Sequence, residues 1–147
     1  MKIEIDQSGR IEYTSKPTVI AFSNSENRSV IISSKDKKYL QQLFRKAGKS
    51  NIFVYKTFSV LIFYLIKDKL KSIRQIIIDE EYTGYDKLIK QFIIELAVKH
   101  NYQLEPDIIH FKQIGKKSRS HGISINAYRA KKADLKFIIR DFLDLTL

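Results

Sequence analysis

The segment Gln75-Ile76-Ile77-Ile78-Asp79 limits the possible folds more than any other part of this sequence. Three consecutive isoleucines are β-branched and leave no polar face, so the run is typical of a strand that is buried on both sides. Such strands lie inside parallel or mixed sheets that helices cover on both faces. We therefore expect an α/β domain with a central strand that ends at Asp79.

The segments before this strand predict a hairpin-rich first third. Residues 2–6 alternate apolar and polar side chains, and residues 18–23 and 28–33 are short β-rich runs around a polar turn. Ser34 is a candidate N-cap for a helix that runs to Ala47. Residues 51–55 are expected to be extended, and the apolar segment that follows to residue 70 predicts a buried helix.

The segments after the central strand predict an alternation of helix and strand. Residues 85–100 have a helical apolar face, residues 107–114 alternate as a strand does, and a basic loop over residues 115–122 leads to one final helix over residues 124–145. The order β, β, β, α, α, β, α, β, α predicts a mixed sheet of about five strands with helices on both faces. With no linker-like stretch, residues 1–147 are expected to form a single domain.

Charge indicates the class of partner. Lys and Arg number 27 against 16 Asp and Glu, a formal net charge of +11, which favours a polyanion such as DNA or RNA. Basic side chains cluster near a loop histidine, and two tyrosines that flank Gly84 are candidates for stacking on a base. These candidates are Lys112, Lys116, Lys117, Arg119, Tyr82 and Tyr85. The alternatives are a solvated basic loop and tyrosines that cover the edge of the core.

Other functional classes fit less well. The chain has no cysteine, which excludes a disulfide scaffold, a thiol nucleophile and a Cys-ligated metal site. The longest apolar run, residues 60–66, is short of the ~20 residues of a membrane span. The N-terminus carries no apolar signal core, so we expect a cytoplasmic protein without a membrane partner.

The acidic residues are few, and two of them close predicted strands. Asp6 ends the first strand and Asp79 the buried one, and the carboxyl ends of strands are where sites collect in such sheets. Asp134 and Asp141 fall on one shoulder of the predicted final helix. Carboxylates brought together repel unless a divalent cation such as Mg²⁺ or Mn²⁺ lies between them. Asp6 could equally begin a turn, Asp79 cap one, and Asp134 pair with a neighbouring lysine.

Together these features resemble the ribonuclease H-like superfamily, which includes ribonuclease H and resolvase-type nucleases. The resemblance rests on the element order, on an Asp followed by Ser-Gly in the first strand, on Asp79, and on His121 thirteen residues before Asp134. It implies hydrolysis of phosphodiester bonds with two Mg²⁺ or Mn²⁺ ions. Asp6 would bridge both ions, Asp79 and Asp134 would hold one each, and His121 would assist the attacking water or the departing product.

One acid of that family has no counterpart here. The family has a further glutamate, but the helix predicted from Ser34 carries only Asp36. The carboxylates that could replace the glutamate are Asp36, Glu80 and Glu81, and Asp141 of the predicted final helix is a further candidate metal ligand. An incomplete set of acids would leave a nucleic-acid-binding module without catalysis. A third possibility is a protein-interaction subunit whose charge serves solubility.

Overall fold

A computed structural model describes residues 1–115 and 118–147. Six strands form one mixed sheet. They are β1 Lys2–Ser8, β2 Thr18–Ser23, β3 Asn27–Ile32, β4 Gln75–Asp79, β5 Ile109–Lys112 and β6 Leu135–Phe137. Their order across the sheet is β5-β4-β1-β2-β3-β6. The pairs β1/β2 and β2/β3 are antiparallel, and the pairs β1/β4, β4/β5 and β3/β6 are parallel.

Five α-helices cover this sheet. They are α1 Ser34–Lys46, α2 Phe53–Ile66, α3 Asp86–Lys99, α4 Arg119–Ala130 and α5 Ile139–Thr146. On one face, α2 packs against β2 and β3, and α1 and α3 pack against α2. On the other face, α4 packs along β1, β2 and β3. The predicted α/β class with a mixed sheet is therefore confirmed, although the sheet has six strands rather than about five.

The main core lies between the sheet and α2. Alternate side chains such as Ile5 of β1 and Ile78 of β4 point into it and are fully buried. The opposite face of the sheet carries small and polar side chains, among them Ser8 and Ala21, and these let α4 approach closely with its own buried Ser124. The sheet thus has a hydrophobic face and a second, more polar face on which functional side chains can lie.

A buried lysine fixes the loop between β1 and β2. Lys37 of α1 has no exposed surface, and its Nζ donates to the carbonyls of Arg10 and Tyr13 and to the hydroxyl of Thr18 at 2.9–3.1 Å. Burial disfavours the charged form and lowers the pKa of Lys37 to about 8. The loop is therefore held against α1 by a cation that satisfies three oxygen acceptors.

The stretch before α2 was predicted wrongly. Residues 51–55 are not extended: Ser50–Ile52 form a 3₁₀ turn and α2 begins at Phe53. The Phe53 ring is buried edge-on against Phe44 at 5.6 Å between centroids, so tertiary packing decides the conformation. Among the described residues, the helical stretch Ser50–Ser72 is long and apolar enough to cross a membrane by length and composition. Its most apolar window is 56% buried inside the protein, and a core helix passes the same test.

The C-terminal region also differs from its prediction. Instead of one helix over residues 124–145, the chain forms α4, then β6, then α5. Lys131 ends α4 in the left-handed conformation, with φ of +53°. β6 then pairs with the edge of β3, and Phe137 is buried against Tyr64. The helical spacing of apolar residues here was coincidental, because side chains of a strand and of a short helix both point to the core.

Candidate metal centre

The register of two neighbouring strands brings Asp6 and Asp79 together. β1 and β4 are parallel, and Ile5 lies opposite Ile78. The next residue on each strand is an aspartate, and because side chains alternate, both aspartates lie on the face opposite the main core. The prediction that these two strands are parallel neighbours is confirmed. The expectation that the first strand ends at Asp6 was wrong, because β1 continues to Ser8 through its pairing with β2.

Glu81 completes a group of three carboxylates. One oxygen of each of Asp6, Asp79 and Glu81 lies within 4.8 Å of the others. Asp6 is 3% exposed, and the Glu81 side chain is 19% exposed. After β4 the chain turns, and the Glu81 amide donates to the Asp79 carbonyl at 3.0 Å. This turn brings Glu81 back to the strand end.

Hydrogen bonds hold the two aspartates in place. The Ile114 amide donates to Asp79 Oδ1 at 2.6 Å, which ties the end of β4 to the segment after β5. On the other side, Asp6 Oδ2 lies 2.8 Å from His121 Nδ1 and accepts from the Ser124 hydroxyl at 3.2 Å. Both of the latter residues belong to α4. The carboxylates are therefore positioned by two different parts of the fold, the β5 end and α4.

The electrostatics of the group favour protonation or a cation. Burial raises the pKa of Asp6, an effect that the hydrogen bond from His121 opposes and neighbouring Asp79 reinforces. Burial, with Asp79 and Asp6 close by, raises the pKa of Glu81 to about 8. Arg10 lies 3.8 Å from Glu81 and offsets only part of this effect. Three oxygen-bearing anions with this little compensation fit a hard divalent cation such as Mg²⁺ or Mn²⁺.

Asp134 does not join the group. It lies just before β6, not in a helix, and its carboxylate accepts from the Ser29 amide at 2.9 Å and from the Ser29 hydroxyl at 3.3 Å. In the sheet, Asp6 pairs with Ala21 and Ala21 pairs with Ser29, so Ser29 is two strand spacings, about 10 Å, from Asp6. The expectation that Asp134 faces the other acids from a final helix was wrong, and Asp134 instead fastens β6 to β3.

The remaining candidate acids are also separate from the group. Asp36 lies in the first turn of α1, where its amide is capped by Ser33, and Asp141 accepts from the Ile138 amide at the start of α5. The Glu80 amide donates to the Lys112 carbonyl, but the Glu80 carboxylate is not in the group. Among the described residues, Glu81 is thus the acid that joins the aspartates. The sequence named Glu81 as a substitute, but only the turn after β4 distinguishes it from Glu80.

His121 is near Asp6 as expected, but in a different element. It lies in the first turns of α4, whereas the sequence predicted a loop. Its side chain is 30% exposed. The position reflects the cap at Ser118, whose hydroxyl accepts from the Ser120 amide and starts the helix earlier than the glycine at 122 suggested.

Of the predicted nucleic-acid contacts, Lys112 lies beside the carboxylates, opposite Asp79 in the sheet, whereas Arg119 lies at the turn between β2 and β3. Lys112 is exposed and lines a groove of about 430 Å³ on the same face of the sheet, beside Ile77 and Ile114. Arg119 is exposed at the start of α4 and donates to the Asn24 carbonyl at 3.3 Å. Lys116 and Lys117 lie outside the described residues.

The two tyrosines have different environments. Tyr82 is 6% exposed, its hydroxyl accepts from the Ile11 amide, and its ring meets Phe58 edge-on and Arg10 face-on. The expectation that Tyr82 stacks on a base is wrong, because its ring is covered by the protein. Tyr85 is 43% exposed and stacks on Tyr55, with centroids 3.9 Å apart. Tyr85 therefore remains a candidate contact.

A cleft of about 440 Å³ lies between these tyrosines, Arg10 and Glu81. It adjoins the carboxylates because Glu81 belongs to both. A larger cleft of about 740 Å³ lies at the opposite end of the sheet, beside Ile73 and Ile108. It is remote from the carboxylates, so size alone does not identify the site.

Comparison of the chain with protein families, curated proteins and solved structures finds no match. The features of the protein that indicate a function are therefore the geometry of the carboxylates and the net charge of the chain.

Proposed function

We propose that this protein is a divalent-metal-dependent nuclease that hydrolyses phosphodiester bonds of nucleic acid with a ribonuclease H-like arrangement of strands. The observation that carries the proposal is the group formed by Asp6 of β1, Asp79 at the end of the adjacent parallel strand β4, and Glu81 in the turn that follows. The net charge of +11 supports a polyanionic substrate.

The topology supports the ribonuclease H-like part of the proposal. The resemblance implies that the first and fourth strands are neighbours and that each carries an acid. Here β1 and β4 are parallel neighbours, with Asp79 as the last residue of β4 and Asp6 two residues before the end of β1. A helix that follows β5 crosses the same face and brings His121 to Asp6. The resemblance implied an acid from the last helix, and here α4 offers His121 and Ser124 in that region.

The chain's own residues can hold and prepare the ion. Asp6 and Asp79 provide carboxylate oxygens that are already oriented by His121 and by the Ile114 amide. Glu81 provides a third carboxylate, which binds metal only after it releases its proton, because its pKa is about 8. A bound Mg²⁺ or Mn²⁺ would activate water and stabilise negative charge on the phosphate, and a second ion would share that work.

His121 has a further task in this proposal. Its Nδ1 faces Asp6, which fixes the orientation of the ring, so Nε2 is the nitrogen left to exchange a proton with water or with the leaving oxygen. A partly exposed histidine beside the carboxylates can reach solvent for that exchange.

Cleavage assays test the proposal directly. Single-stranded, duplex, hybrid and branched substrates of DNA and RNA are incubated with the protein in Mg²⁺, in Mn²⁺ and in EDTA. We expect metal-dependent cleavage of at least one substrate by the natural chain and none by Asp79→Asn. Activity that persists in EDTA, or equal activity in both proteins, would contradict the proposal.

A non-catalytic nucleic-acid-binding module is the second candidate. Two observations favour it. Asp134, which the resemblance assigns to the metal, is hydrogen-bonded to Ser29 instead. In the place of that acid, α4 presents a histidine and a serine to Asp6. This candidate expects nucleic-acid binding without cleavage and no rise of the melting temperature in Mn²⁺. The nuclease proposal expects cleavage and a rise of the melting temperature in Mn²⁺.

A further inference from the structure

Helix α4 divides one face of the sheet into two sides. It packs on β1, β2 and β3, so the β4/β5 side and the β6 side lie to its left and right. The carboxylates and the groove beside Lys112 are on the β4/β5 side. The other side has a cavity of its own, which the proposed chemistry does not use.

We define the basic groove as the two adjoining clefts beyond α4, of about 390 Å³ and about 320 Å³. The clefts share Ser15, Pro17 and Lys131 and are therefore continuous. The cations that line them are Lys16, Arg129, Lys131 and Lys136, and all four are exposed. Within the described residues, no acidic side chain lines either cleft, and none of the four cations forms an ion pair with a carboxylate.

The fold fixes this groove on the same face as the carboxylates. Lys136 of β6 lies opposite Ile31 of β3, whose neighbours Val30 and Ile32 are buried in the main core on the other face. Gly9 allows the end of α4 to lie close to the loop, since a Cβ there would be 2.4 Å from the Pro17 carbonyl oxygen and 2.6 Å from the Tyr128 ring. Lys131 and Arg129, at that helix end, are thereby positioned over the loop.

We infer that the basic groove is a second binding site for the nucleic-acid backbone, so that the substrate crosses α4 and is held on both sides of it. The inference takes the identity of the polyanion from the proposed function. Four uncompensated cations and the hydroxyls of Ser15 and Ser33 match phosphate oxygens, which accept hydrogen bonds from both. Cations on one side only would hold a substrate less well in register with the carboxylates on the other.

The sheet sets the distance between the two contacts. From β1 to β6 is three strand spacings and from β4 to β6 is four, or about 14–19 Å at about 4.8 Å per spacing. A duplex advances about 3.4 Å per base pair. Phosphates held at Lys136 of β6 are therefore about 4–6 base pairs from the bond that lies at the carboxylates. The part of the groove beside Pro17 and Tyr128 lies nearer, next to Gly9 after β1.

Charge reversal in the basic groove tests this inference. The probes are fluorescein-labelled DNA and RNA duplexes of about 24 base pairs, titrated in EDTA at several salt concentrations so that binding is measured without cleavage. For Lys131→Glu with Lys136→Glu, we expect at least about tenfold weaker binding to the preferred duplex. The slope of log K against log salt should fall by about 2, because two phosphate contacts are lost.

A matched control separates local contact from net charge. Lys46→Glu with Lys49→Glu makes the same change in charge at two exposed lysines around the end of α1 and should leave the slope nearly unchanged. Equal slopes in both double variants, or no loss in the groove variant, would overturn the inference. If the first groove variant unfolds, Lys16→Glu with Arg129→Glu tests the other part of the groove with the same expectation.

The outcome is distinguishable from failure of the proposed function. If the natural chain cleaves no substrate but the slope of log K against log salt falls only in the groove variants, the second binding site is supported and the nuclease proposal is contradicted. If the natural chain cleaves and all variants bind equally well, the nuclease proposal is supported and the second binding site is contradicted. Lack of binding by the natural chain to either duplex contradicts the inference as well.

Discussion

Glu81→Gln gives the most informative single change, because it alters the charge of the carboxylate group but hardly its volume. The pKa of Glu81 is about 8 in the folded protein, against 4.5 for an ordinary glutamate. Between these values the unfolded chain has released the proton and the folded chain still holds it. The free energy of unfolding of the natural chain is therefore not reduced by Glu81 below about pH 4.5, and it decreases as the pH rises toward 8.

The magnitude follows from the same two pKa values. At pH 7 the difference from 4.5 spans 2.5 pH units, which at 1.36 kcal/mol each sets an upper limit of about 3 kcal/mol. Glutamine also loses hydration on burial, so we expect Glu81→Gln to stabilise the metal-free protein by about 1–3 kcal/mol at pH 7. For a chain of this length, that is a rise in melting temperature of roughly 3–9 °C.

Thermal melts in EDTA at pH 4.5, 7 and 8 measure the effect, with Glu80→Gln as the neighbouring control. The gain should be small at pH 4.5 and largest at pH 7–8, and Glu80→Gln should show little change at any pH. In Mn²⁺ the advantage should shrink or reverse, since the natural chain gains binding energy that the variant lacks. A destabilised Glu81→Gln in EDTA, or a gain that does not depend on pH, would refute the reasoning.

Three further predictions concern single residues. Asp79→Asn should abolish metal-dependent cleavage, and its stability in EDTA should be level or higher by roughly 0–2 kcal/mol, because repulsion within the group is relieved; thermal melts and cleavage assays measure both. His121→Ala removes a hydrogen bond that lowers the pKa of Asp6, so the pH–rate profile should move to higher pH, with about 10–100-fold lower activity. Gly9→Ala should cost about 2–4 kcal/mol in urea unfolding, because φ is +78° and the Pro17 carbonyl is 2.4 Å from the new Cβ.

Each of these has an outcome that contradicts it. A marked loss of stability in Asp79→Asn would mean that the residue is a structural cap for the turn after β4. An unshifted pH–rate profile in His121→Ala would contradict the expectation that the histidine ring lowers the pKa of Asp6. Gly48→Ala is the control for Gly9→Ala, since φ of Gly48 is +72° but nothing lies within 4 Å of the added Cβ. An equal loss in the free energy of unfolding at both positions would mean that the contact with Pro17 does not contribute.

The sequence predicts those parts of the fold whose local pattern agrees with their tertiary setting. The three isoleucines of β4 are apolar on both faces because the strand is central, so its bounds match the prediction. The hairpin strands are also found where alternation and the polar turn indicate them. The approach of Asp6 to Asp79 follows in part from this, because neighbouring parallel strands were expected there. Asp6 lies two residues inside β1, and the register that pairs Ile5 with Ile78 brings the two acids together.

The C-terminal region could not be predicted in this way. No glycine or proline interrupts residues 123–147, and their apolar spacing suits a helix. What decides the structure is the free edge of β3, which β6 pairs with, and the bond between Asp134 and Ser29 that stabilises this pairing. Both are contacts between residues about a hundred positions apart in the chain, and a local pattern carries no information about them. The sequence does not distinguish Glu81 from Glu80 for a similar reason, since the approach of Glu81 to Asp79 depends on a turn.

If Asp6 and Asp79 hold a divalent metal ion, a crystal soaked in Mn²⁺ will show it bound there. We expect an anomalous peak within about 2.4 Å of a carboxylate oxygen of each aspartate. Glu81 should lie in or beside the same coordination sphere. A well-ordered crystal with no peak between Asp6 and Asp79 at millimolar Mn²⁺, or with a peak bound by other residues only, would contradict metal binding by this pair.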